Sequence, residues 1–237
     1  ERDGYAQLLV GDPENRQIMA AYRFVECRKT GPDAQGDFRL SSNSIFSFSP
    51  DFCNHVLPYT LELGRAFVAP DYQPEGPYRK GIFALDNLWD GLGALSVVRE
   101  DIRYLYGKVT VYDDYPHDAL VGLHSFLNHF FTDPDGWVLP RQEFALDLSQ
   151  ADAFKEIWAG LDYEKALALL HKKTLDWGTR VPPLFPAYMN LSSTMRYFGF
   201  AHNAAFGRVD EAGILVTIAD INPSKIERHI GSFTRVR

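Results

Sequence analysis

Cysteine is scarce in this chain: Cys27 and Cys53 are the only two among 237 residues. Neither belongs to a Cys-x-x-Cys pair or a Cys/His cluster, which argues against structural zinc and against a disulfide framework. Net positive charge is lacking as well. The formal balance is −7, so there is no global basic field to grip nucleic acid. No apolar run is long enough to span a bilayer and no signal peptide is evident. A cytoplasmic protein is therefore expected, with peripheral contact at the inner face of the membrane left open. Common nucleophile and nucleotide signatures are missing too: Gly-x-Ser-x-Gly, His-Glu-x-x-His, the Walker loop and Gly-x-Gly-x-x-Gly. His117, His124 and His129 are close in sequence but share no helix face well, so no metal site is expected there. Asp133-Pro134-Asp135-Gly136 resembles half a calcium loop without the remainder.

What is present is an ordinary globular composition, 46% hydrophobic and 23% charged, with 14% aromatic residues to fill a core or an apolar channel. Tyr5 to Val10 and Ile18 to Cys27 read as two strands joined by the turn Gly11-Asp12-Pro13-Glu14-Asn15. A hairpin with nothing before it is an unusual start, and an upstream segment is expected. Gly31 to Ser49 is a polar excursion whose Ile45, Phe46 and Phe48 can tuck against the body. Arg103 to Tyr112 is a strand interrupted by Gly107, which suggests a bulge or a close backbone approach. Leu120, Leu123, Leu127, Phe130 and Phe131 mark an amphipathic helix. Helices follow over Asp152–Trp158, over Asp162–Trp177 with Asp162 as its cap, and from Pro183 to Met189. Gly213 to Ala219 is a buried strand and Pro223 to Ile230 a short helix. Strands alternating with helices, with no repeat, predict one α/β domain over 1–237 with a helical portion around 151–212.

The chain is organised around Leu61 to Leu95. An apolar strand carrying Glu62 and Arg65 ends at Pro70, and a loop rich in Pro, Gly and basic residues follows. Leu85, Leu88, Trp89, Leu92 and Leu95 then recur at helical spacing. Strand, basic loop and helix start place unpaired helix N–H groups beside Arg79 and Lys80, where a phosphate can sit near Arg79 to Ala84. Regular alternation puts Glu62 and Arg65 on opposite faces, unless a bulge at Gly64 turns both one way. A mid-sheet carboxylate is costly unless paired or used as a base, so both an ion pair and a catalytic role stay open. If the strand ending near Phe67 splays from the one over Tyr104–Tyr112, their backbone groups can pair with an extended amide-bearing ligand such as a pantetheine arm.

Leu61-Glu62-Leu63-Gly64-Arg65, with Val68-Ala69-Pro70-Asp71-Tyr72 after it, resembles the ELGR…V-x-P-x-Y motif of the acyl-carrier-protein-dependent N-acyltransferases. These make ornithine lipids and glycine lipids and are often filed as hemolysins. Leu88-Trp89-Asp90-Gly91-Leu92 is similar to their LWxGL motif, and Tyr104 to Val109, Val181-Pro182-Pro183-Leu184 and Gly213 to Ile221 also match. The resemblance covers Tyr5 to Ile230, and Phe83 to Leu95 is closest to the glycine-lipid branch. It implies a GNAT-like α/β fold, related to that of the acyl-homoserine lactone synthases. In that fold a mixed twisted sheet with splayed central strands is flanked by helices, and its first strand and helices would precede Tyr5. The short phosphate loop of acetyl-transferring GNATs is replaced here by a longer loop, Gln73 to Gly81, which agrees with a carrier-protein donor.

The resemblance further implies transfer of a long-chain (3-hydroxy)acyl group from the 4'-phosphopantetheine thioester of acyl carrier protein to the amine of glycine or ornithine. No cofactor is expected to be bound permanently, and CoA is a possible donor. Glu62 is the candidate base, and Arg65 binds the acceptor carboxylate or holds Glu62. The backbone N–H of Phe67 or Val68 is the candidate oxyanion donor. Arg79, Lys80, Gly81, Ile82 and Phe83 are expected at the phosphate, with Gly107, Lys108 and Thr110 across the cleft. Arg79 and Lys80 also suit the acidic carrier protein. Two other readings stand beside this one: a CoA-dependent acetyltransferase of a small amine, and a hemolysin-like lipid-binding or membrane-active protein.

Overall fold

The computed structural model describes residues 4–32, 38–73, 76–77, 84–142 and 148–231, the side chains of 85 and 148–152 apart. In chain order the strands are β1 (Ala6–Asp12), β2 (Gln17–Glu26), β3 (Phe46–Phe48), β4 (Thr60–Val68), β5 (Tyr104–Val111), β6 (Val138–Pro140), β7 (Arg196–Asn203) and β8 (Val209–Thr217). The helices are α1 (Ala84–Val98), α2 (His117–Phe130), α3 (Leu148–Trp158), α4 (Tyr163–Asp176), α5 (Leu184–Met189) and α6 (Pro223–His229). This is a mixed α/β fold with mostly antiparallel strand pairing and flanking helices, consistent with the GNAT-like architecture expected. The chain forms two compact units. One comprises Glu1–Ser41, Asn54–Gly107 and Thr217–Arg237, and the other Ser42–Cys53 and Lys108–Val216.

In the first unit β2 lies antiparallel between β1 and β4, and β4 runs parallel to β5 from Thr60↔Tyr104 to Leu63↔Gly107. The β1–β2 turn is held by Asp12, whose Oδ1 accepts the Glu14 amide at 3.0 Å and whose Oδ2 accepts Asn15 Nδ2 at 2.8 Å. An aspartate folding back on its own turn is the reason these residue types close hairpins. The core of this unit is Leu61, Leu63, Leu88, Leu92 and Tyr106, with Trp89 edge-on to Tyr22 at 6.4 Å. Gly91 admits the Leu8 side chain and Gly93 the His229 backbone, so both glycines are sites of close helix approach.

Register fails once in β4. Arg23 faces Gly64 and Ala21 faces Phe67, leaving Tyr22 opposite two residues, Arg65 and Ala66. Arg65 has φ +50°, in the left-handed region. The extra residue is a β-bulge, the alternative left open at Gly64, and it falls one position further on, at Arg65. Gly107 keeps regular register with Leu63 and marks where the β4–β5 pairing ends within this unit.

In the second unit β7 and β8 form an antiparallel pair with a register shift between Tyr197 and Phe200, where Gly199 has φ +89°. The stretch expected to be helical around 151–212 contains α3, α4 and α5 but also β7. Its Arg196, Gly199 and His202 interrupt the apolar pattern by which a strand is recognised. β3 and β6 form a two-stranded antiparallel pair, and Ile45 and Phe46 are buried, as the sequence suggested. Phe126 of α2 sits edge-on to Trp158 of α3 at 5.6 Å, and the Trp158 indole donates to Ser125 Oγ at 3.2 Å. Asp162 caps α4 by accepting the Lys165 amide at 2.9 Å. The half calcium loop holds an internal cation instead. One guanidinium nitrogen of Arg196 reaches Asp133 at 2.7 Å and Asp135 at 2.5 Å.

Candidate active site

Glu62 lies mid-strand on β4 and is 1% exposed. Its register partner on β2 is Val25 and its parallel partner on β5 is Tyr106. Directly opposed residues share a sheet face, so Glu62 shares one with Val25, with Arg23 across from Gly64, and with Ala21 across from Phe67. Three donors converge on the carboxylate: the Tyr5 hydroxyl at Oε2, the Ser41 amide at Oε2 (3.1 Å) and the Ser41 hydroxyl at Oε1 (3.0 Å). The Ser41 amide is also 2.9 Å from the Tyr5 oxygen. The Arg23 guanidinium stacks on the Tyr5 ring at 3.7 Å. Burial, with the Glu62 charge next, pushes the Tyr5 hydroxyl well above its ordinary range, so Tyr5 stays protonated and donating. The same two causes, in the same order, push the buried Cys27 thiol up.

Arg65 is close in sequence but apart in role. It is exposed, and among the described residues it has no ion pair, with Glu62 or otherwise. The ion-pair reading of Glu62 and Arg65 is therefore not realised; hydrogen-bond donors satisfy the carboxylate instead.

The two amides named as oxyanion donors differ in direction. Ala69 donates to Met19 at 2.8 Å, and antiparallel partners alternate between bonded and non-bonded pairs. Phe67 opposite Ala21 is then a bonded pair, whereas the Val68 amide, opposite Ala20, is directed away from β2. On that side the Val68 carbonyl accepts Gln73 Nε2 at 3.0 Å.

Glu62, Arg65, Phe67, Val68 and Gly107 all belong to the first unit. Lys108 and Thr110 belong to the second, where both reach Glu211 on β8, at 3.1 and 3.3 Å. Asn203 of β7 donates to the same carboxylate at 2.7 Å, and Glu211 is 4% exposed. Arg79, Lys80, Gly81, Ile82 and Phe83 lie outside the described residues. Sequence reasoning missed Tyr5, Ser41, Glu211 and Asn203. None stands in a motif with its partner; Tyr5 is 57 positions from Glu62, so no local pattern signals the contact.

A cavity of about 280 Å³ in the second unit is lined by His124, Asn128, Pro140, Tyr197, Phe198 and Phe200 among others. His124 Nδ1 is 2.8 Å from the Tyr197 hydroxyl. Burial, helped by the positive charge of Lys155, pulls the imidazole down to about 4. It is therefore neutral at physiological pH, and its Nδ1 can accept the Tyr197 proton. Among the described residues no cluster of His, Cys, Asp or Glu could hold a metal ion, and no helix is long and apolar enough to cross a membrane.

Glu62 is thus a buried, donor-ringed carboxylate on β4 of a GNAT-like fold. The chain is 39% identical over 239 residues to a glycine N(alpha)-acyltransferase of Phocaeicola vulgatus, covering 98% of this chain and 71% of that protein. It is 39% identical over 229 residues to a glycine N(alpha)-acyltransferase of Bacteroides thetaiotaomicron, covering 97% of this chain and 68% of that one. The chain belongs to this N-acyltransferase family. No family model and no solved structure matches it.

Proposed function

We propose that this protein transfers a long-chain acyl group from acyl carrier protein to the amine of glycine, a step of aminolipid synthesis. The observation that carries the reading is the near full-length similarity to two proteins named for acylating glycine. The buried Glu62 supplies a base of the required kind. The amine attacks the thioester carbonyl; a C–N bond forms, the C–S bond breaks and the pantetheine thiol leaves. Glu62 takes the proton that frees the amine. The Val68 amide, directed away from β2, stabilises the oxyanion. The exposed Arg65 guanidinium binds the glycine carboxylate. Arg79 and Lys80 meet the phosphopantetheine phosphate and the acidic carrier protein, at the inner face of the membrane where the product is delivered.

The test is incubation of the full-length protein with palmitoyl acyl carrier protein and a panel of amino acids, read by mass spectrometry. N-palmitoylglycine formed by the parent and lost in Glu62→Gln is the expected result. Turnover with acetyl-CoA alone would overturn the donor, and acylation of ornithine but not glycine would overturn the acceptor.

A further inference from the structure

Arg23 and Glu62 share a sheet face and are joined through a third side chain. Arg23 of β2 lies opposite Gly64 of β4, and Val25 lies opposite Glu62. Opposed residues share a face and side chains alternate along a strand, so Arg23 is the diagonal neighbour of Glu62. Tyr5 links the two. The Arg23 guanidinium stacks on its ring at 3.7 Å, and its hydroxyl donates to Glu62 Oε2. Tyr5 and Glu62 are buried and Arg23 is half-buried, so the cation is held over the ring where water screens it least. A positive charge at one end of such a chain polarises the hydrogen bond at the other. Other groups placed against Glu62 are the Ser41 amide and hydroxyl, the Cys27 thiol, kept neutral by burial, and Tyr106, its partner on β5.

We propose that Arg23, acting through Tyr5, is the positioning residue of the candidate base: it clamps the Tyr5 ring, and the Tyr5 hydroxyl keeps Glu62 oriented and ionised. The inference rests on the acyltransfer reading above. Neither Arg23 nor Tyr5 gives or takes a proton in the reaction; Glu62 still accepts the proton that frees the amine. A carboxylate is a base only while ionised, and hydrogen bonds to the ionised form favour it. Loss of the clamp or of the hydroxyl favours the protonated carboxyl. The base is then lost at a higher pH than in the parent.

The experiment is the pH profile of kcat/KM for glycine, measured on the full-length protein with saturating palmitoyl carrier protein. The parent is compared with Arg23→Lys, Arg23→Gln, Tyr5→Phe and Arg23→Gln/Tyr5→Phe, each confirmed folded by circular dichroism at every pH used. The acid limb should move up by about one pH unit in Arg23→Gln and in Tyr5→Phe. Arg23→Lys keeps a cation over the ring and should stay near the parent. Once the Tyr5 hydroxyl is gone, loss of Arg23 should add little, so the double variant should match Tyr5→Phe. A variant that merely folds less well loses rate without moving the limb. Limbs that stay at the parent's pH while rates fall would therefore mark a structural role and overturn the inference. So would additive shifts, which mean that Arg23 acts without Tyr5, or an Arg23→Lys limb displaced as far as that of Arg23→Gln. Each of these leaves acyl transfer to glycine by the parent standing. A parent that acylates no glycine overturns the acyltransfer reading itself, and this inference with it.

Discussion

Ser41 bonds both oxygens of Glu62, its amide 3.1 Å from Oε2 and its hydroxyl 3.0 Å from Oε1. With the Tyr5 hydroxyl also on Oε2, a carboxylate that would be costly at mid-sheet is satisfied by donors, without a salt bridge to its neighbour Arg65.

Removing one of those donors should therefore be felt as stability. Tyr5→Phe deletes the hydroxyl and leaves its carboxylate oxygen to the Ser41 amide alone among the bonds described above. A loss of about 1–3 kcal/mol is expected in urea unfolding, the range for a buried acceptor losing a partner. A variant as stable as the parent would show that Tyr5 does not hold Glu62.

Arg65 occupies a left-handed slot in the β4 bulge, with φ +50°. Glycine suits that conformation, so Arg65→Gly should fold with a stability within about 1 kcal/mol of the parent. If the guanidinium binds the acceptor carboxylate, the same variant should raise the glycine KM by about tenfold or more with kcat less affected. An unchanged KM would remove Arg65 from acceptor binding. Arg65→Val, a β-branched residue at positive φ, should destabilise where Gly does not.

Gly93 of α1 allows the closest of the helix approaches. A Cβ there would stand 2.5 Å from the His229 carbonyl oxygen, an atom that no rotamer change can move. Gly93→Ala should lower stability by about 1–3 kcal/mol or more through displacement of α6. Thermal unfolding followed by circular dichroism tests this; an unshifted midpoint would mean that α6 docks with slack.

His124 gives the second unit an acid-sensitive element. Its imidazole is pulled from 6.5 to about 4 in the fold, so the unfolded chain binds a proton that the native state refuses. The stabilising contribution is complete above about pH 6.5 and is lost as pH falls through about 4, with a ceiling of about 3 kcal/mol. Urea midpoints measured across that window should fall with pH, and less steeply in His124→Gln. Equal slopes in both would refute the assignment.

Much of this was readable locally. The β1–β2 hairpin follows from an Asp-Pro turn between two strand-forming runs, the α4 start from the Asp162 cap, and α2 from apolar residues at helical spacing. The motif residues Glu62 and Gly64-Arg65 marked the strand that carries the candidate base, while the bulge beside it stood only as an alternative to regular alternation. β7 was not, because Arg196, Gly199 and His202 break its apolar pattern.

The sequence by itself determined the periodic elements, the family motifs and the chemistry available, because each depends on residues within a few positions of one another. Tertiary structure alone decided what those residues meet. It brought Tyr5 and Ser41 to Glu62 across 57 and 21 positions, and it set Arg196 rather than a metal between Asp133 and Asp135. It also gave Lys108 and Thr110 to Glu211. Such partners are chosen by strand register and burial, which require each desolvated charge to find its donors wherever the folded chain presents them.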